Sequence, residues 1–201
     1  MKKIILASAS PRRRELLTKL GLSFEVIVSD ADESKIDKNS IPVEIYVQEL
    51  ALLKAMAVAK NLKDKNALII SADTVVYLDG EILGKPKDEE DAREMLSRLS
   101  GREHSVFSGI CVMDAKTLKS VCGTEETKVF FKELTKEKIE DYIRTGEPMD
   151  KAGAYAVQGL GALFTEKICG DFFNVIGLPI KKLAEILEEE FEFDIFKELT
   201  K

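Results

Sequence analysis

Ile4-Ile5-Leu6-Ala7 is a continuous apolar run of strand length, broken by Ser8 and Ser10 and followed by Leu16, Leu17 and Leu20 on one helical face up to Gly21. That order predicts a buried strand, a tight turn and a helix. Phe24-Glu25-Val26-Ile27-Val28 then alternates as a strand and runs into the acidic stretch Asp30-Ala31-Asp32-Glu33-Ser34. Val43, Tyr46, Val47, Leu50, Leu53 and Ala57 recur at helical spacing and predict a helix over 42–60. Residues 68–78 are the most strand-like run, and Asp79-Gly80 turns them back into a hairpin. An amphipathic helix follows over 88–99, then two strands over 105–113 and 119–131 joined through Asp114-Ala115-Lys116-Thr117, then helices near 136–144 and 180–190. Strands that alternate with helices but also form hairpins predict an α/β fold whose mixed sheet is flanked by helices. No repeat, low-complexity tract or linker interrupts the 201 residues, so one domain is expected over 1–201.

The first turn carries the clearest chemistry. Ser10 suits the helix N-cap and Pro11 the first helical position, where its missing N–H has no partner to lose. Arg12, Arg13 and Arg14 then sit at the positive end of the helix dipole, an arrangement unfavourable unless an anion is held there. Arg12 and Arg13 share the face of Leu16, Leu17 and Leu20, whereas Arg14 is expected to be a solvated surface charge. Ser-x-Ser-Pro directly after a buried strand favours an anion site over three surface arginines.

Composition narrows the ligand. At 45% hydrophobic and 33% charged residues the chain is globular, and its net charge of −6 argues against stable nucleic-acid binding while leaving room for a local basic pocket. Three scattered cysteines, Cys111, Cys122 and Cys169, suit reduced, buried thiols. The single histidine, His104, argues against Ser-His-Asp and Cys-His chemistry and is expected to be structural or at the surface. The apolar run after Met1-Lys2-Lys3 is too short for an export signal or a membrane span, so a cytoplasmic protein is expected.

Several charged residues interrupt apolar patterns. Asp73 lies inside a β-branched run, where a carboxylate calls for a charged partner, a metal or a catalytic task. Lys54 falls on the apolar stripe of its helix, and either pairs with an anion or snorkels to the edge. Lys85, between Gly84 and Pro86, sits on a constrained turn suited to aiming an ammonium at phosphate. Glu33 lies in a loop that reads equally as solvated surface or as an oxygen ligand for a hard cation. Gln158, in the small-residue run 150–161, offers both a donor and an acceptor for a base edge, although tight backbone packing would use the same composition.

Ser8-Ala9-Ser10-Pro11-Arg12-Arg13 with Glu15-Leu16-Leu17 resembles the opening signature of the Maf family of nucleoside triphosphate pyrophosphatases, also named septum formation inhibitors. Ser71-Ala72-Asp73-Thr74-Val75-Val76, Gly84-Lys85-Pro86, Asp150-Lys151-Ala152-Gly153-Ala154-Tyr155 with Gln158-Gly159, and Asn174-Val175 with Gly177-Leu178-Pro179 resemble later family stretches in the same order. The resemblance implies an elongated two-lobed fold akin to inosine triphosphate pyrophosphatases, with a nucleotide in a central cleft. It implies cleavage between the α- and β-phosphates to a nucleoside monophosphate and pyrophosphate, with a divalent cation (Mg²⁺, Mn²⁺ or Co²⁺). It singles out Glu33 with Asp73 for the metal, and Lys54 as a pocket lysine beside Ser8, Arg12, Arg13 and Lys85 on the phosphates. Arg12, Thr74 and Gln158 match the branch acting on dTTP and UTP; in the 7-methyl-GTP branch a tryptophan commonly replaces the first arginine. A homodimer is expected by the same analogy. With no nucleophile–base pair in the sequence, water is the expected attacking group and Asp73 its base. The competing reading is a non-enzymatic nucleotide-binding regulator of septum formation, or membership of the 7-methyl-GTP branch.

Overall fold

The computed structural model describes residues 2–200. In chain order the elements are β1 (Lys3–Leu6), α1 (Pro11–Lys19), β2 (Phe24–Val26), α2 (Val43–Asn61), β3 (Ala67–Leu78), β4 (Glu81–Leu83), α3 (Glu89–Leu99), β5 (Glu103–Asp114), β6 (Ser120–Phe131), α4 (Lys136–Arg144), β7 (Thr165–Cys169), α5 (Phe172–Ile176), α6 (Ile180–Phe191) and α7 (Ile195–Leu199). The strands form one seven-stranded sheet in the order β2-β1-β3-β5-β6-β7, with β4 paired to β3. It is mixed: β1 runs parallel to β2 and β3, whereas β4 and β7 are antiparallel to β3 and β6. The mixed sheet with helices is the architecture expected from alternating elements and hairpins.

The chain divides into two compact units. The first holds the residues up to Asp73, Ser108–Glu125 and the chain from Gly177 onward. Its core is built by α2 against β1, β3 and β5: Ala51, Ala55, Val58 and Ala59 meet Ile5, Ala7, Ile69, Cys111 and Met113. The small alanines let the helix lie close to the strands. The buried stripe of α2 is therefore Val43, Val47, Leu50, Ala51, Ala55, Val58 and Ala59. Tyr46, Leu53 and Ala57, expected on that stripe, lie along its half-buried margin. Ser71, wholly buried in β3, donates its hydroxyl to the Ala51 carbonyl at 2.6 Å and so ties strand to helix.

The second unit comprises Thr74–Phe107 and Glu126–Ile176. Asp79 and Gly80, both at positive φ, make the tight turn between β3 and β4. His104 is buried here, paired through Nε2 with Tyr155 Oη at 2.8 Å and set edge-on to Phe131. Burial lowers its pKa to about 4, so the ring is neutral at pH 7 and structural, as expected. The cysteine expectation holds only in part: Cys111 is buried, Cys122 is half-buried and Cys169 is exposed on the edge strand β7. Among the described residues no helix is long and apolar enough to cross a membrane.

Candidate active site

In the first unit the turn from β1 into α1 is built much as the pattern predicts, with one change of part. Ser10 occupies the N-cap with extended backbone, but its side chain makes no capping bond. The hydroxyl of Ser8 does the organising: it accepts from the Ser10 N–H at 3.2 Å and from Arg13 Nη1 at 3.2 Å. Arg13 also donates through Nε to the Gly177 carbonyl at 2.8 Å, so two groups far apart in sequence fix its guanidinium. Burial lowers its pKa; Asp73 opposes the shift and neighbouring Arg12 adds to it. An arginine remains protonated under such a shift. Arg12 is half-buried and Arg14 exposed, as their positions relative to the leucine face predict.

The second feature is a lysine between two carboxylates. Lys54 on α2 places Nζ at 2.6 Å from Asp73 Oδ1 and 3.1 Å from Glu33 Oε1. The Lys54 and Asp73 side chains are only 13% and 14% exposed, whereas Glu33 is 52% exposed. The interior pair therefore sits in reduced dielectric and Glu33 reaches it from solvent. This settles the choice left open for Lys54: its ammonium is paired. Asp73 likewise has the charged partner that its place in an apolar strand demands. Glu33 opens a one-turn 3₁₀ segment, Glu33–Lys35, held by the Asp32 side chain, which accepts from the Ser34 N–H. Tyr46 on α2 belongs to the same electrostatic environment: burial, then Asp73 and Glu33, raise its pKa.

Glu33 and Asp73 are carboxylates on separate elements, the oxygen chemistry that a hard cation takes together with water and substrate oxygens, and both face the Lys54 ammonium. Among the described residues no group of three or more His, Cys, Asp or Glu side chains is placed to hold a metal without such help.

The remaining candidates lie in the second unit. Thr74 follows Asp73 on β3 and is half-buried. Lys85 is exposed on the loop between β4 and α3, where the Gly84 carbonyl accepts from the Gly153 N–H at 3.0 Å and ties the two glycine-bearing motifs together. Gln158 is exposed in the turn between Ala156 and Gly159, closed by Gly159 N–H to Ala156 O at 3.2 Å. Sequence reasoning missed the Gly177 carbonyl, Tyr46 and the Ser71 link. The one available signal was Ser71, a hydroxyl inside a strand-like apolar run.

Two relatives give this geometry its context. A dTTP/UTP pyrophosphatase of Thermoanaerobacter pseudethanolicus is 54% identical over 190 residues, 94% of this chain and 97% of that protein. A dTTP/UTP pyrophosphatase of Alkaliphilus metalliredigens is 50% identical over 195 residues, 97% of this chain and all of that protein. Among solved structures, the Ham1 protein of Staphylococcus aureus is similar at a TM-score of 0.46 and 18% identity, covering 65% of this chain and 72% of that one. Residues 3–190 match the family described as Maf-like protein, and the chain belongs to the Maf family.

Proposed function

We propose that this chain hydrolyses nucleoside triphosphates, dTTP and UTP above others, to the nucleoside monophosphate and pyrophosphate. The observation that carries the reading is the Lys54 ammonium between Asp73 and Glu33, in the unit that also fixes Arg13 at the head of α1. The identity of about half the residues with dTTP/UTP pyrophosphatases over nearly the whole chain supports the substrate class.

A triphosphate needs fixed positive charge, which Arg13, held by Ser8 and Gly177, supplies with Arg12 beside it. Ser8 accepts twice and retains its own O–H for a phosphate oxygen. Asp73 takes the proton of the attacking water, and the bond between the α- and β-phosphoryl groups breaks with pyrophosphate leaving. Lys54 holds one oxygen of Asp73 in place and compensates its charge. Glu33 and Asp73 would hold a divalent cation, which when bound polarises the phosphoryl group and acidifies water. In the second unit Lys85 contributes a phosphate contact, and Thr74 and Gln158 discriminate the base.

The test is a panel of dTTP, UTP, CTP, ATP, GTP and 7-methyl-GTP with Mg²⁺ or Mn²⁺. Pyrophosphate release is expected to be fastest with dTTP and UTP and to stop when the cation is chelated. Turnover of 7-methyl-GTP without turnover of dTTP or UTP would contradict the assignment.

A further inference from the structure

The segment that carries Gln158 is short, irregular and poor in side chains that could stiffen it, yet it must hold an amide steady to discriminate a base. Its support comes from outside. Glu147, at the start of a 3₁₀ turn over Glu147–Asp150, accepts from the Leu160 N–H through Oε2 at 3.0 Å and from the Gly161 N–H through Oε1 at 3.1 Å. Its Oε1 also accepts from Tyr142 Oη at 2.8 Å. Tyr142, buried on α4, completes the enclosure by accepting from the Ala156 N–H at 3.3 Å. Main-chain groups on both sides of Gln158 are therefore fixed by two bonded side chains, with Gln158 exposed at the tip of the turn.

The fit is close. A Cβ on Gly159 would lie 2.5 Å from both Glu147 carboxylate oxygens, and one on Gly161 would lie 2.7 Å from the Ala156 carbonyl and 2.9 Å from Tyr142 Oη. Tyr142 is in turn held edge-on to Phe164, at the end of the 3₁₀ segment Leu160–Phe164, with ring centroids 4.8 Å apart. Burial pushes the Glu147 carboxyl pKa up, but the N–H groups of Leu160 and Gly161 and the Tyr142 hydroxyl outweigh it, so the group is held ionised below the ordinary carboxylate range. Donors converging on an ionised carboxylate make the stronger, directional kind of hydrogen bond.

We infer that Glu147, with Tyr142, is a positioning residue for base selection: the pair clamps the turn that presents Gln158 and so sets discrimination among nucleobases without touching the nucleotide. The inference rests on the reading of Gln158 as the base contact. A merely structural clamp would alter all nucleotides alike, whereas a specificity clamp alters the ratio between them.

The test measures kcat and KM for dTTP, UTP, CTP and ATP in wild type, Gln158→Ala, Glu147→Ala, Glu147→Gln, Gly159→Ala and the Glu147→Ala/Gly159→Ala double variant. In Glu147→Ala the preference for dTTP over ATP is expected to fall roughly 10–100-fold, the scale of a misplacement near 1 Å, mainly through the KM for dTTP. Glu147→Gln should be intermediate, because one amide oxygen still accepts. Gly159→Ala should lower the preference in wild type but add little once the carboxylate it strikes is gone, a non-additivity that marks contact between the two sites. Gly159→Ala and Glu147→Gln keep the test open if Glu147→Ala does not fold. A wild-type preference in all Glu147 and Gly159 variants, with the preference lost in Gln158→Ala, would overturn the clamp alone. A wild-type preference in Gln158→Ala would overturn the base-contact reading and the clamp with it.

Discussion

Asp73→Asn is expected to lower kcat for dTTP by about 10²–10⁴-fold, the range associated with loss of a general base. The substitution keeps the shape, and an amide oxygen can still accept from Lys54, whose Nζ lies 2.6 Å from Asp73 Oδ1. It removes the negative charge and the proton acceptor. Removing a carboxylate beside a polyanionic ligand relieves repulsion, so nucleotide affinity measured by calorimetry with the divalent cation chelated should be retained. The variant thus separates chemistry from binding. A kcat within about threefold of wild type would remove Asp73 from the base role, since a working base is worth far more.

Gly109→Ala should have the largest effect on stability. Its added Cβ would fall 2.1 Å from the Val47 carbonyl oxygen, 2.2 Å from the Val47 carbonyl carbon and 2.6 Å from the Gln48 nitrogen. All three are main-chain atoms of α2, so no side-chain rotation relieves the contact and the helix itself must shift from the strands. Overpacking of this kind typically costs about 1–3 kcal/mol, and a backbone collision belongs at the upper end. For a chain of this length that is a fall of roughly 6–12 °C in thermal midpoint. Because α2 also carries Lys54, activity should fall with stability. Gly123→Ala is the control: its Cβ would meet the flexible Lys182 side chain at 3.4 Å, and the midpoint should hardly move. An unchanged midpoint in Gly109→Ala would show that α2 does not rest on the strand as closely as described.

Much of the first unit was legible because its signals are periodic or conflicting. The apolar run into Ser8 and Ser10 located β1, the turn and α1, and the leucine spacing sorted Arg14 from Arg12 and Arg13. Asp73 and Lys54 stood out because burial makes an isolated charge costly; a charged partner was one of three readings for Asp73 and one of two for Lys54, and the fold pairs them with each other. Glu33 gave no such signal, since a half-exposed carboxylate in an acidic loop costs nothing by itself. The roles of Ser8 and Ser10 could not be told apart from order alone, because either hydroxyl can serve a helix start. The Gly177 carbonyl was out of reach for a different reason: every residue carries one, and only the fold brings this one to Arg13.

The second unit was less readable. The strand β7, the short helix α5 and the 3₁₀ turns between 147 and 164 are too brief for periodicity to develop, and their stability rests on tertiary bonds such as those of Glu147. Small residues in 150–161 fitted either a close ligand or a close backbone; the bonds to Gly161 and Ala156 account for the second of these. Gly109 went unremarked although an isolated glycine within a strand marks close approach of another backbone, which here is α2.

The most direct measurement is the stoichiometry of products from dTTP with Mg²⁺, resolved chromatographically for wild type and Asp73→Asn in parallel. Equal amounts of dTMP and pyrophosphate are expected from wild type, with no orthophosphate, and about 10²–10⁴-fold less of both products from the variant over the same interval. Release of orthophosphate with dTDP, or no turnover by wild type despite nucleotide binding, would contradict it.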